Sequence, residues 1–197
     1  MIPMEQVLSL LMGLSLSAAC GFRIFVPLTL MSLCSQIGLY HLPAEMAWAG
    51  SPMALSGLLL ATVLELGAYY IPWLDNALDT IATPLSMCAG TFLMLGFAPQ
   101  MDPFAQWALA LIAGGGLAGT LQAATVAARG ASSLTTGGLG NPIIATIEAA
   151  LATLVALLAM FLPVLALVIC LGFLLLILRF LRKLRANKPE PHTQALK

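Results

Sequence analysis

Charge is what this sequence has least of. Of 197 residues, 8% are charged and 60% are hydrophobic, against roughly 25% charged in an ordinary soluble domain. Mean hydropathy is +1.00. Sixteen charged side chains cannot cover a soluble domain of this size, so the composition excludes a soluble enzyme, a nucleic-acid binder and a disordered chain. It predicts an all-α, polytopic membrane protein in contact with the lipid bilayer.

Other absences narrow the chemistry. The four cysteines, Cys20, Cys34, Cys88 and Cys170, have none of the short paired spacings of a metal site. They read as small buried hydrophobes. His41 and His192 are far apart. No metal, no cofactor and no catalytic residue are expected, because no nucleophile–base pair is visible either. The start, M-I-P-M-E-Q, has no Lys or Arg, so the first apolar segment reads as a retained span rather than a cleaved signal.

What charge there is lies unevenly. Six of the eight basic residues fall in the last 19, and the body up to Leu178 holds only Arg23 and Arg129 as cations, with seven acids. The cluster R-F-L-R-K-L-R predicts that the C-terminus lies on the cytoplasmic side of the membrane. A single transmembrane domain over 1–185 is expected, followed by a short polar cytoplasmic tail over 186–197.

Apolar segments run over 4–22, 24–40, 53–72, 84–98, 104–128, 142–161 and 164–181, giving about 6–7 hydrophobic helices. Segments 24–40 and 84–98 are short for a span, which needs about 20 residues. Two broken or re-entrant helix hairpins therefore compete with pairs of short spans. Over 69–83, Asp75 and Asp79 share one helical face behind Tyr69, Tyr70 and Trp73, which predicts a short helix along the membrane surface.

An internal repeat is visible at an offset of 106. Gly13–Ser35 and Gly119–Asn141 are identical at six of 23 positions, including Arg23 and Arg129. A duplication (4–98 and 104–184) and shared membrane-helix composition both account for this. In either case small residues at four-residue intervals, such as Gly115, Gly119, Ala123 and Ala127, allow close helix packing.

Four charges remain inside apolar segments: Arg23, Arg129, Glu65 and Glu148. Such groups are costly in lipid and are functional candidates by default. They either neutralise one another structurally or form a site for an ionic substrate, with Glu65 and Glu148 coupling protons or pairing with the arginines. Arg129–Pro142 carries Ser132, Ser133, Thr135, Thr136, Gly137, Gly138 and Asn141. This stretch predicts a loop whose N–H groups and hydroxyls cradle an anion, with Asn141 capping the next helix and Pro142 in its first turn. In the first copy, Gly21 and Pro27 mark a helix break around Arg23.

Gly21-Phe22-Arg23 through Pro27, with Arg129, Thr136-Gly137-Gly138 and Asn141-Pro142, is similar to a family of small bacterial inner-membrane proteins known only as a domain of unknown function. The resemblance covers most of the chain up to about Leu178 and implies no activity. In architecture the chain also loosely resembles the DedA-type membrane proteins, whose re-entrant hairpins carry arginines and prolines. That likeness implies movement of lipid phosphates.

The leading expectation is a transporter or lipid flippase for an anionic, phosphate-bearing small molecule or lipid headgroup, contacted by both arginines. The rival is a membrane scaffold that assembles as a homo-oligomer through its glycine stripes. A channel is a third option, without a filter motif to support it.

Overall fold

A computed structural model describes residues 3–186, apart from a few side chains. The tail expected over 186–197 lies outside it from residue 187 onward. Among the described residues the fold is all-helical. The helices are α1 (Met4–Cys20), α2 (Phe25–Gln36), α3 (Pro52–Ala68), α4 (Pro72–Phe97), α5 (Pro103–Leu109), α6 (Gly116–Thr136), α7 (Asn141–Phe161) and α8 (Pro163–Ala186). A 3-10 turn over Ala44–Gly50 precedes α3, and a π-helical segment over Ala110–Gly115 joins α5 to α6.

Among the described residues, four helical stretches are long and apolar enough to cross a membrane: Ala77–Phe97, Pro103–Thr136, Asn141–Phe161 and Pro163–Phe180. A fifth arises if the 3-10 turn and α3, bent by 73°, count as one span. The chain is a membrane protein on this ground. α1 and α2 are shorter apolar helices.

Two expectations change. Residues 72–83 are no separate surface helix. They form the first half of α4, which continues through Pro84 to Phe97. Segment 84–98 is therefore the end of a 26-residue helix rather than a short one. A proline is tolerated in such a helix where neighbouring groups satisfy the freed backbone. Second, Cys88 is exposed on α4, although the other three cysteines are buried.

α1 is the centre of the bundle. Every residue from Ser15 through Ile24 is buried, including the turn into α2. Its hydroxyls tie it to its neighbours. Ser17 Oγ donates to Gly90 O of α4 at 2.7 Å, and Ser15 Oγ to Pro163 O at the start of α8 at 2.9 Å. Such interhelical bonds matter where no water competes.

The small residues of the stripes pack inside the chain in part: Gly13, Ser17, Gly21, Gly115 and Gly119 are buried, while Ala123 and Ala127 are exposed. A Cβ on Gly21 would lie 2.6 Å from both Ala118 O and Leu121 Cβ of α6. A Cβ on Gly90 would lie 2.6 Å from Ala118 Cβ and 2.7 Å from Gly114 O. Gly119 faces the Met87 side chain of α4. Helices α1, α4 and α6 thus approach closely where these glycines sit, and that approach carries the α1–α2 turn to the positions described next.

Candidate functional site

Arg23 leaves the backbone in the turn between α1 and α2, where the helix breaks after Cys20. Pro27 sits in the first turn of α2, where an N–H would lack an intrahelical partner in any case. Arg129 comes from within α6, which runs on for two more turns. The two arginines of the repeat alignment therefore reach one place from different local backbones.

They converge on Glu148. Arg23 Nη2 lies 3.1 Å from Glu148 Oε2, and Arg129 Nη1 lies 3.4 Å from the same oxygen. Arg129 Nη2 also pairs with Asp79 Oδ1 at 2.7 Å. Arg23 Nη2 donates a further hydrogen bond to Ala145 O at 3.0 Å. Beside them lies the buried ring of Tyr69. The guanidinium carbon of Arg23 is 3.8 Å from its centroid and that of Arg129 is 4.5 Å, within cation–π range. Both arginines are 1% exposed and Glu148 is 0% exposed.

Helix periodicity explains the convergence. Asn141, Ala145, Glu148, Ala152 and Val155 form the buried face of α7. Ala118, Gln122, Thr125 and Arg129 form that of α6. Glu148 lies seven residues into α7, about 10 Å below the 137–140 turn at the helical rise.

Among the described residues two cations pair here with two anions, yet donors are left over. Arg23 has five N–H groups in a planar fork, and its Nε and Nη1 have no hydrogen-bond acceptor. The buried amide nitrogen of Gln122, two turns before Arg129 on α6, is in the same condition. Buried donors without acceptors are rare and call for an explanation.

Glu65 has a different role from its three companions. Its carboxylate accepts hydrogen bonds from the Ile24 N–H at 2.7 Å and the Phe25 N–H at 3.0 Å. It caps the N-terminus of α2, where a negative charge also meets the helix dipole favourably. Glu65→Ala is expected to cost about 1 kcal/mol, as loss of a cap does, and to speed amide hydrogen exchange at Ile24 and Phe25 severalfold. Unchanged protection at both amides would remove this role.

The predicted anion-cradling loop is mostly helix. Ser132, Ser133, Thr135 and Thr136 belong to the last turns of α6, and only 137–140 form a turn. Thr135 Oγ1 donates to Ala131 O, and Thr136 Oγ1 to Ser132 O. Thr136 Oγ1 also accepts from Gly140 N. Gly137 and Gly138 take positive φ of 64° and 88°, a conformation that favours glycine and ends α6. Pro142 falls in the first turn of α7, as expected, but Asn141 does not cap it. Its amide nitrogen donates to Ser133 Oγ at 3.0 Å instead. The hydroxyls thus bond locally, one to two turns beyond Arg129, because nothing between Gly130 and Gly137 stops the helix.

Asp79 and Tyr69 belong to the cluster, whereas the sequence placed them on a surface helix and not among the site residues. The available signal was charge balance: two intramembrane arginines needed acids, and Asp79 lies one to two turns before the apolar stretch 84–98. No group of three or more His, Cys, Asp or Glu able to hold a metal occurs among the described residues.

Comparison with known proteins adds a family and no activity. No curated protein and no solved structure matches. Residues 10–183 match the Domain of unknown function (DUF4126), and the chain therefore belongs to the DUF4126 family.

Proposed function

We propose that this protein is a membrane transporter or lipid flippase that moves an anionic, phosphate-bearing substrate bound by Arg23 and Arg129. The observation that carries the reading is the incomplete bonding of Arg23. It is buried, yet two of its three guanidinium nitrogens have no acceptor. A phosphate presents several acceptor oxygens to such a fork, whereas one carboxylate oxygen shared with Arg129 leaves the fork underused.

Glu148 then stands in for the substrate. While ionised, it neutralises both arginines and keeps the empty site closed. Once protonated, it releases them, and an arriving anion takes its place without leaving a buried charge unpaired. Asp79 holds Arg129 in position, and Tyr69 supports both guanidinium planes. The turn bearing Arg23 is buried within the bundle, which favours α1–α2 as a re-entrant hairpin of the kind that lines transport sites. The DedA-like architecture, the duplication and the single domain over 1–185 belong to the same proposal. So does a bacterial inner-membrane location with the exposed Arg179, Arg182 and Lys183 of α8 on the cytoplasmic side.

The pairing of both arginines with carboxylates favours a second reading, a scaffold with no substrate. The two readings separate in reconstituted vesicles, with inorganic phosphate, glycerol 3-phosphate and labelled phosphatidic acid as probes. Arg23→Lys keeps the charge and loses the fork. The transporter reading expects it to move the substrate 10- to 100-fold more slowly, the range for a lost charged hydrogen bond, with normal insertion. Wild-type rates in Arg23→Lys, or no movement of any probe by the wild type, would overturn it.

A further inference from the structure

We infer that the substrate is an amphiphile: an anionic lipid whose acyl chain lies in the cleft between α3 and α4 while its phosphate reaches the arginine pair beside Tyr69. This rests on the reading of Arg23 and Arg129 as an anion site and names what kind of anion it takes.

Helices α3 and α4 join at Tyr70–Ile71 and otherwise scarcely touch. Between them lies a cleft of about 740 Å³, within the roughly 300–1,000 Å³ of pockets that hold small molecules. Among the described residues its wall is apolar, with Ala68, Leu78 and Ala82 in the lining and Glu65 as the one ionisable carboxylate. A hydrophilic anion gains nothing from such a wall, and water finds few partners there. An alkyl chain suits it.

The mouth faces lipid. Its rim residues Val63, Leu64 and Ile81 are exposed, and Ile81 lies in the membrane-spanning stretch of α4. Bilayer chains therefore meet the cleft directly. The inner end meets the charges. Tyr69 lines the cleft and is also the ring against which both guanidiniums pack. Ile24 lines it too, next in the chain to Arg23. One layer of residues thus separates an apolar, lipid-facing cleft from a buried arginine with unpartnered donors. That juxtaposition matches a molecule with a chain at one end and an anion at the other.

Gly67 provides the test. It lines the cleft, and a Cβ there would meet nothing within 4 Å. Gly67→Phe starts from a Cβ in open space and adds an aromatic ring to the cleft wall, and Leu64→Trp narrows the rim as a second variant. Equilibrium binding of dioleoyl phosphatidic acid and of glycerol 3-phosphate is measured on the full chain in uncharged detergent. Phosphatidic acid is expected to bind at least tenfold more tightly than the chain-free glycerol 3-phosphate. Either variant should weaken phosphatidic acid about tenfold and leave glycerol 3-phosphate unchanged. Equal affinity for the two probes would overturn this inference while leaving the anion site standing. Binding of neither probe would overturn both. A change in self-association with unchanged phosphatidic acid affinity would mean that a second copy of the chain covers the cleft, and would overturn the inference.

Discussion

Glu148→Ala is expected to lower the stability of the purified protein by roughly 3–5 kcal/mol, the usual cost of breaking a buried pair. For a chain of this size that is about 10 °C in Tm, read by thermal unfolding in detergent. The reason is geometric. Oε2 of Glu148 is shared by two arginines, so its loss takes from Arg23 and Arg129 the carboxylate that lies between them. Two like charges then face one another beside Tyr69 at low dielectric. Glu148→Gln keeps the shape and one acceptor oxygen and is expected to cost less. Glu45→Ala, on an exposed residue of the 3-10 turn, should change Tm by under 1 °C, since surface substitutions away from special features cost little. An unchanged Tm in Glu148→Ala would mean that the arginines are not held by this carboxylate.

On the proposed reading of Arg23 and Arg129 as an anion site, the same carboxylate is expected to make binding pH-dependent, which gives the second large effect. Ionised Glu148 would compete with the substrate anion for both guanidiniums, and protonated Glu148 would not. Affinity for phosphatidic acid in the wild type should therefore rise as pH falls through the titration of Glu148, and weaken as pH rises. Arg23, Arg129, Asp79 and Tyr69 face this group. The arginines stay charged throughout, so the dependence left after correction for the lipid phosphate's own second ionisation is attributed to a carboxylate. In Glu148→Gln the competitor is permanently neutral. That variant is expected to bind about tenfold more tightly at neutral pH, the low end for a hydrogen bond to a charged group, and to lose the pH dependence. Retained pH dependence in Glu148→Gln would assign the titration elsewhere, with Asp79 the next candidate.

Scarcity of charge made much of this site legible in the sequence. Arg23, Arg129 and Glu148 stood out because few ionisable groups interrupt the apolar segments, and all three meet. Glu65 stood out for the same reason and turned out to cap α2 through two backbone N–H groups. The i, i+4 spacing of Asp75 and Asp79 was consistent with a solvated helix face, and the preceding aromatics with a membrane surface. Neither pattern reveals that the helix continues through Pro84 and carries Asp79 to Arg129. Glycine, serine and threonine after Arg129 resembled a loop by composition. Their hydroxyls can instead bond to carbonyls one turn earlier in a helix, as Thr135 and Thr136 do. The small-residue stripes divide: Gly13, Ser17 and Gly21 are buried, and Gly119 packs against α4 of its own chain, whereas Ala123 and Ala127 of the second stripe are exposed.

The central claim is that Glu148 occupies the place of the substrate anion and yields it on protonation. Proton uptake during binding tests this most directly. Phosphatidic acid is added to the full chain in weakly buffered detergent at neutral pH, and the protons taken up per lipid bound are counted. The account predicts close to one proton per lipid for the wild type, after correction for the lipid's own titration, and none for Glu148→Gln. Binding with no proton uptake by the wild type, or equal uptake by both proteins, would contradict it.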